Sequence, residues 1–284
     1  MLAVYKLIRS FITTYKVTTV FFILSLVFLG SNNTVSAQIV WLGAKVAGTL
    51  NQPKLTDNNF KDTARTIPSP GFSAGAALLF KVKNRYFLHT EYLYSLRSKI
   101  NTGKVDHELI DRTVFQYLEV PILFTIQSKI QVGKEKNFKW YVGAGPNISY
   151  LLSGKGVIKS SELQENNISS QSYTIKFGHR GPNRDRKDQV FYNNVNRFQF
   201  GLNFGAGILL EPRPKHKIIV DLRYTVDQTL LGKQSADYLV PDDYSDNLKI
   251  RNRGIKFSLI YMFEYNLNKK ERHRGKSTLK PNRK

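Results

Sequence analysis

Apolar and polar side chains alternate with a period of two along unusually long segments of this chain. In Arg197–Glu211 the even positions are Phe198, Phe200, Leu202, Phe204, Ala206, Ile208 and Leu210, and the odd ones include Gln199, Gly201, Asn203, Gly205 and Gly207. Successive side chains of a strand point to opposite faces, so this segment has one apolar face and one small or polar face. Lys217–Leu230, Arg253–Leu267, Phe138–Leu152, Val114–Ile126 and Tyr86–Ser98 repeat the pattern, and Ile39–Leu50 and Phe72–Lys81 follow it less cleanly. These eight segments predict eight strands.

Such strands could build a soluble sandwich or a membrane barrel. A sandwich turns its second face to water and carries charge there. Here the second face is mostly Gly, Asn, Ser and Gln with isolated charges of both signs, which suits a narrow lumen. Each segment is long enough for the roughly 9–11 residues that a tilted strand needs to cross a bilayer. Trp41, Tyr86, Trp140, Tyr150 and Tyr265 stand near segment ends, where an interfacial aromatic girdle belongs. The gaps alternate in length. Asn51–Gly71, Lys99–Thr113, Ser153–Asn196 and Gly232–Asn252 are long, whereas Val82–Arg85, Gln127–Asn137 and Pro212–His216 are short. Short inner turns alternating with long outer loops are characteristic of an outer-membrane barrel. The fold class predicted is all-β, an eight-stranded antiparallel up-and-down transmembrane barrel with both termini in the periplasm.

The ends of the chain fit that compartment. Lys6, Arg9 and Lys16 precede the apolar run Val20–Leu29, and Val35-Ser36-Ala37 is a small-residue cleavage pattern. Residues 1–37 therefore read as a cleaved signal peptide, too short in apolar length to be a spanning helix. Residues 38–268 are the barrel with a long outer loop over 153–196, and 269–284 form a basic periplasmic tail with eight Lys/Arg against a single Glu. The formal charge of +22 would suggest nucleic acid. An exported protein meets none, and the positive charge gathers in the short turns and the tail. The chain contains no cysteine, which excludes disulfide scaffolds, thiolate metal sites and a lipoprotein anchor.

Four motifs carry a resemblance: Tyr117-Leu-Glu-Val-Pro-Ile122, Tyr141-Val-Gly-Ala-Gly-Pro-Asn-Ile-Ser-Tyr-Leu151, Phe200-Gly-Leu-Asn-Phe-Gly-Ala-Gly207 and Asp221-Leu-Arg-Tyr224. In this order they resemble the PorT-like, porin-family outer-membrane β-barrels of the Bacteroidetes type, over nearly all of Gln38–Leu267. The resemblance implies an eight-stranded barrel inserted by the barrel-assembly machinery. Through the name-giving member it also implies a link to protein secretion and gliding-type machinery. The long 153–196 loop and the basic tail depart from the family pattern.

Inward charges are expected at Glu91, Arg97, Glu119, Asp221, Arg223, Asp227, Lys256 and Glu264. An unpaired ion away from water costs several kcal/mol. Glu91, Glu119, Asp221, Arg223 and Glu264 are therefore predicted to form a lumen salt-bridge network, with Arg223 joined to Glu119, Glu91 or both. Two readings follow, a structural plug and a gated polar conduit, and the plug is preferred. Arg180, Arg184, Arg186 and Lys187 are candidate contacts for lipopolysaccharide phosphates, in a loop that could equally be solvated and disordered. The tail could dock on a periplasmic protein, the cell wall or anionic headgroups, or have no role.

No His-x-x-x-His pair or Gly-x-Ser-x-Gly elbow occurs, and no cofactor, metal or catalytic residue is predicted. His107 and His179 are the candidates should an acyl-chain enzyme be hidden in the loops. The function expected is that of a non-enzymatic interaction or assembly protein in outer-membrane lipid. A narrow porin for small solutes is the alternative.

Overall fold

The computed structural model describes residues 39–132, 136–179, 188–236 and 244–266. The leader, Arg180, Arg184, Arg186 and Lys187, and the basic tail lie outside the described residues. In chain order the strands are β1 (Ile39–Asn51), β2 (Lys54–Leu55), β3 (Ala64–Ile67), β4 (Ser69–Lys83), β5 (Tyr86–Gly103), β6 (Ile110–Val132) and β7 (Lys136–Lys159). They continue with β8 (Gln171–Phe177), β9 (Gln189–Tyr192), β10 (Phe198–Arg213), β11 (His216–Asp227), β12 (Ile250–Arg251) and β13 (Arg253–Asn266). Each of the eight alternating segments is one long strand. They pair antiparallel in the order β1-β4-β5-β6-β7-β10-β11-β13, and β13 pairs back onto β1. The barrel is closed, and no long strand is left with an unpaired edge.

Alternation sorts the side chains as expected. Outward residues such as Leu42, Val46, Phe72, Leu118, Phe200, Phe204, Phe257 and Leu259 are exposed, Phe257 by 60%. An apolar belt running around the whole barrel is far larger than a water-facing surface tolerates, so its solvent is lipid. On β5 the belt runs from Tyr86 to Leu96, matching the roughly 9–11 residues of a tilted spanning strand. At its rim Tyr150 packs on Phe198 with ring centroids 4.7 Å apart.

The short connections are 84–85, 133–135 and 214–215, all at one end; 52–68, 104–109, 160–197 and 228–252 are all at the other. The gaps 99–113 and 153–196 are shorter than the sequence suggested, because β5, β6 and β7 continue past the belt. Along β7 the inward positions are odd up to Leu151 and even from Gly154, and the pairing skips from Tyr117↔Leu151 to Gln116↔Ser153. Leu152 is the extra residue, a bulge that reverses the parity of the strand. A strict alternation test therefore ends the strand there, although the pairing does not.

The 153–196 segment is accordingly not a bare solvated loop. It completes β7, adds a helix at Ser161–Glu165, and lays β8 against β7 and β9 against β8. With β3, which replaces β4 beside β5, this makes a sheet standing beyond the belt. Its inner face covers a core of Phe115, Leu151, Ile158, Leu163, Tyr173, Ile175, Val190, Tyr192, Leu248 and Ile250. The long-loop end thus carries a folded cap.

The lumen is not polar throughout. Toward the short-turn end Trp41, Ala77, Leu79, Phe87, Tyr141, Leu209, Ile219, Ile260 and Met262 form a second apolar cluster. Leu209, Ile219 and Ile260 are apolar positions on largely polar inward faces of three strands, joined on the last by Met262. Register aligns the first three in one cross-strand row. A barrel of about eight strands has room inside only for side chains, and these fill it.

The β6–β7 ladder is interrupted between Pro121↔Asn147 and Phe124↔Ala144. Pro121 and Pro146 supply no N–H there. At Gly145 a Cβ would lie 1.9 Å from the Ile122 carbonyl oxygen. Gly145→Val should force the two strands apart and lower barrel stability by about 2 kcal/mol. Urea unfolding in lipid vesicles measures it, with Ser153→Val, on the same strand, as the control.

Candidate functional site

Burying charge inside a barrel requires partners, and the strands deliver them in layers. The layer beyond the apolar cluster holds Lys45, Glu91, Asp221 and Arg223. Lys45 Nζ lies 3.0 Å from Glu91 and 3.7 Å from Asp221, and Arg223 reaches Glu91 at 2.7 Å and Asp221 at 2.5 Å. Tyr141 and Ser258 also donate to Asp221, the tyrosine at 2.7 Å. His89 Nε2 stands 3.2 Å from Glu91.

The next layer holds Arg97, Glu119, Asp227 and Lys256. Arg97 donates to Glu119 at 2.9 Å, to Asp227 at 2.7 Å and to Ser149 at 3.1 Å, and Lys256 donates to Glu119 at 2.6 Å. The Arg97 guanidinium also covers the Tyr117 ring at 4.6 Å. Each layer contains two cations and two carboxylates and is formally neutral. A small, partly open pocket beside the second layer, lined in part by Thr49, Asn51, Arg97, Glu119 and Asn252, measures about 20 Å³. That is room for about one water molecule.

A third group ties the cap to the barrel mouth. Lys99 binds both carboxylate oxygens of Asp246, which also accepts from Tyr192 at 2.5 Å and Asn101 at 3.1 Å. Asp111 accepts from Tyr173 at 2.6 Å and Tyr244 at 3.2 Å. Burial, with Asp111 and Asp246 beside it, pushes the Tyr244 hydroxyl well above its ordinary pKa, so it remains a donor. Farther out, Asp57 caps the helix Asn58–Thr63 through the Asn59 amide and accepts from Lys249 at 2.7 Å and Asn247 at 3.1 Å. Asp57 thereby joins the first long connection to the last.

Of the five residues expected in one network, Glu91, Asp221 and Arg223 meet in a single layer. Glu119 lies in the other layer, paired with Arg97 and Lys256, and the Arg223–Glu119 bridge is not formed. Glu264 faces the lumen at the short-turn end, outside both layers. Lys45 and Lys99 were absent from the expected set. Lys45 falls on the weakly patterned β1, where Gly43, Lys45, Ala47 and Thr49 do alternate with Leu42, Val46 and Leu50. Lys99 lies one residue past the expected end of β5. His107 and His179 are both exposed on the cap side. No group of three His, Asp or Glu residues suited to a metal occurs among the described residues.

A closed antiparallel barrel of eight strands, belted with apolar side chains and sealed by its own backbone hydrogen bonds, is a transmembrane β-barrel of the outer-membrane type. The chain matches the family model of the outer membrane protein beta-barrel domain over residues 37–226, well over half its length, and belongs to that family. Among solved structures it is similar to the outer membrane protein OprG of Pseudomonas aeruginosa (10% identity, 81% of this chain and 97% of that one, TM-score 0.45). Neisserial surface protein A is another (12%, 78% and 95%, 0.37). A third is the attachment invasion locus protein Ail of Yersinia pestis, solved with the heparin analogue sucrose octasulfate (12%, 80% and 99%, 0.32). No curated protein matches the chain.

Two outcomes test these assignments. Glu119→Gln leaves Lys256 without its counter-ion and weakens the Arg97 fork. It should cost about 3 kcal/mol of barrel stability, changing little between 0.1 and 1 M salt because buried pairs escape screening. Urea midpoints in vesicles report both.

The second concerns Asp57. The Lys249 hydrogen bond, with Asn247 and the Asn59 amide, holds its carboxyl below the usual carboxylate range. A depressed folded pKa means that the contribution is complete above the unfolded value of about 4 and is lost as pH falls through the lower folded one. Limited proteolysis of the 52–57 connection should therefore accelerate below about pH 4 in the natural chain. In Asp57→Asn it should already be fast at pH 7.

Proposed function

We propose that this protein is a non-conducting, non-enzymatic outer-membrane barrel that acts as an interaction or assembly element through its cap. In this reading the long-loop end faces outside and both termini lie in the periplasm. The barrel supplies a fixed position in the membrane, and the cap and short-turn end are the working surfaces. The four motifs that resemble PorT-like barrels favour a role beside secretion or gliding-type machinery. The basic tail over 269–284 would be the periplasmic contact.

One observation carries the proposal. Two neutral ion-pair layers stand between an apolar cluster and an apolar cap core, so that, among the described residues, side chains occupy the lumen at every level. Moving an ion through it would require breaking buried pairs, each worth several kcal/mol to its partners. The narrow porin is the competing reading.

Planar-bilayer recording of the purified barrel decides between them. The expected result is silence in the natural chain, with transient conductance only when both layers are weakened, as in Glu91→Ala/Glu119→Ala. A steady open state with ion selectivity in the natural chain would establish the porin instead. Crosslinking in native membranes, with and without residues 269–284, should lose its main protein partner when the tail is removed.

A further inference from the structure

Beyond the lipid belt, β5, β6 and β7 continue with new neighbours, β3 beside β5 and β8 beside β7. The inner face of this sheet is used up in covering the cap core. Its outer face carries Arg65, Arg112, Lys155, Lys159 and Lys176, all exposed, and no outward position on these extensions is an Asp or Glu. None of the five forms an ion pair among the described residues.

The register groups them. Ile110 faces Lys159, Arg112 faces Val157, and Val114 faces Lys155. Lys155 and Lys159 therefore flank Val157 as the two diagonal neighbours of Arg112, each roughly 7–8 Å away. Arg65, Thr102, Ile110 and Lys159 lie in one cross-strand row. Like charges so placed repel unless an anion sits among them, and a guanidinium fork flanked by two ammonium groups suits a phosphate.

Height selects the source of the phosphate. On β6 the belt ends near Leu118, and Arg112 stands six residues farther along the strand. At about 3.3 Å per residue and a tilt of about 40°, Arg112 rises roughly 15 Å above the hydrocarbon and the Val114–Lys155 pair roughly 10 Å. The headgroup layer of an ordinary phospholipid is only about 5–7 Å deep. The cations stand above it, within reach of a taller headgroup.

We propose that the outer face of the β3-β5-β6-β7-β8 extension, centred on Arg112, Lys155 and Lys159, binds the phosphorylated saccharide headgroup of lipopolysaccharide. This rests on the orientation given under Proposed function. It places the contact on the strands and uses none of residues 180–187.

The experiment uses the full chain refolded in a zwitterionic detergent, with core-bearing lipopolysaccharide, the same material chemically dephosphorylated, and phosphatidylglycerol as probes. Arg112→Gln/Lys155→Gln/Lys159→Gln should bind the phosphorylated probe about a hundred-fold more weakly than the natural chain. Its affinity for phosphatidylglycerol should be unchanged, as should the binding of Lys81→Gln/Lys83→Gln, altered at the short-turn end. Heat-modifiable migration on a gel confirms that each variant folds. Equal binding of the dephosphorylated probe, or a triple variant within about two-fold of the natural chain, would overturn the assignment. Loss of phosphatidylglycerol binding in the triple variant would do the same.

Orientation is read separately. In this cysteine-free chain, Val105→Cys, in the exposed connection between β5 and β6 and off the proposed face, should react with an impermeant maleimide on intact cells. Failure to label would refute the orientation while leaving the binding result to stand on its own.

Discussion

A backbone in hydrocarbon must satisfy every N–H and C=O group within the protein, and the rest of this structure follows from that requirement. It forces eight strands to close on one another, with β13 returning to β1. Closure sets the diameter, and the diameter leaves an interior that side chains can only fill. What fills it is then decided by solvation. Apolar residues gather at the short-turn end, where nothing requires water. Carboxylates and cations occupy the middle in balanced sets, since each ion there survives only beside its opposite. Lipid sets the outer face, and the same alternation that satisfies it on one side supplies the lumen on the other.

The cap shows what becomes possible once strands leave the membrane. Beyond the belt β7 no longer needs β10, and β5 no longer needs β4; both take new partners. The bulge at Leu152 turns the inner face of β7 from odd to even positions, aiming Gly154, Gly156 and Ile158 at the cap core. The glycines leave space that is at once occupied, for Ile175 packs against Gly154 and Tyr173 against Gly156. One continuous strand thus belongs to two hydrophobic cores with different solvents outside them.

Most of the barrel was legible because one force acts uniformly along each spanning segment. All eight strands, their order and the sorting of long from short connections follow from alternation and turn spacing. The cap was not legible, because a single inserted residue at Leu152 breaks the period on which the reading depends. The stretch after it is rich in Ser, Asn and Gln, so core residues such as Leu163 and Tyr173 stand alone in the sequence, and Val190–Tyr192 is too short a run to show a period. In the lumen, alternation identified which charges face inward but not which layer each occupies. That depends on strand stagger, and it is why Arg223 meets Glu91 while Glu119 is bound by Arg97 and Lys256. Lys45 was missed where the pattern was weakest.

Strand β5 contributes His89, Glu91, Arg97 and Lys99, and their partners come from β1, β6, β11 and the connection before β13. While the sheet is still open, several of these partners are on distant strands with no wall to hold them opposite. A nascent barrel short of its last two strands would hold Arg97 without Asp227 and Glu91 without Arg223. Partly wrapped intermediates are therefore penalised in proportion to the charges that they leave unmatched. Docking of the last two strands is thus tied energetically to completing the ion pairs that β5 contributes.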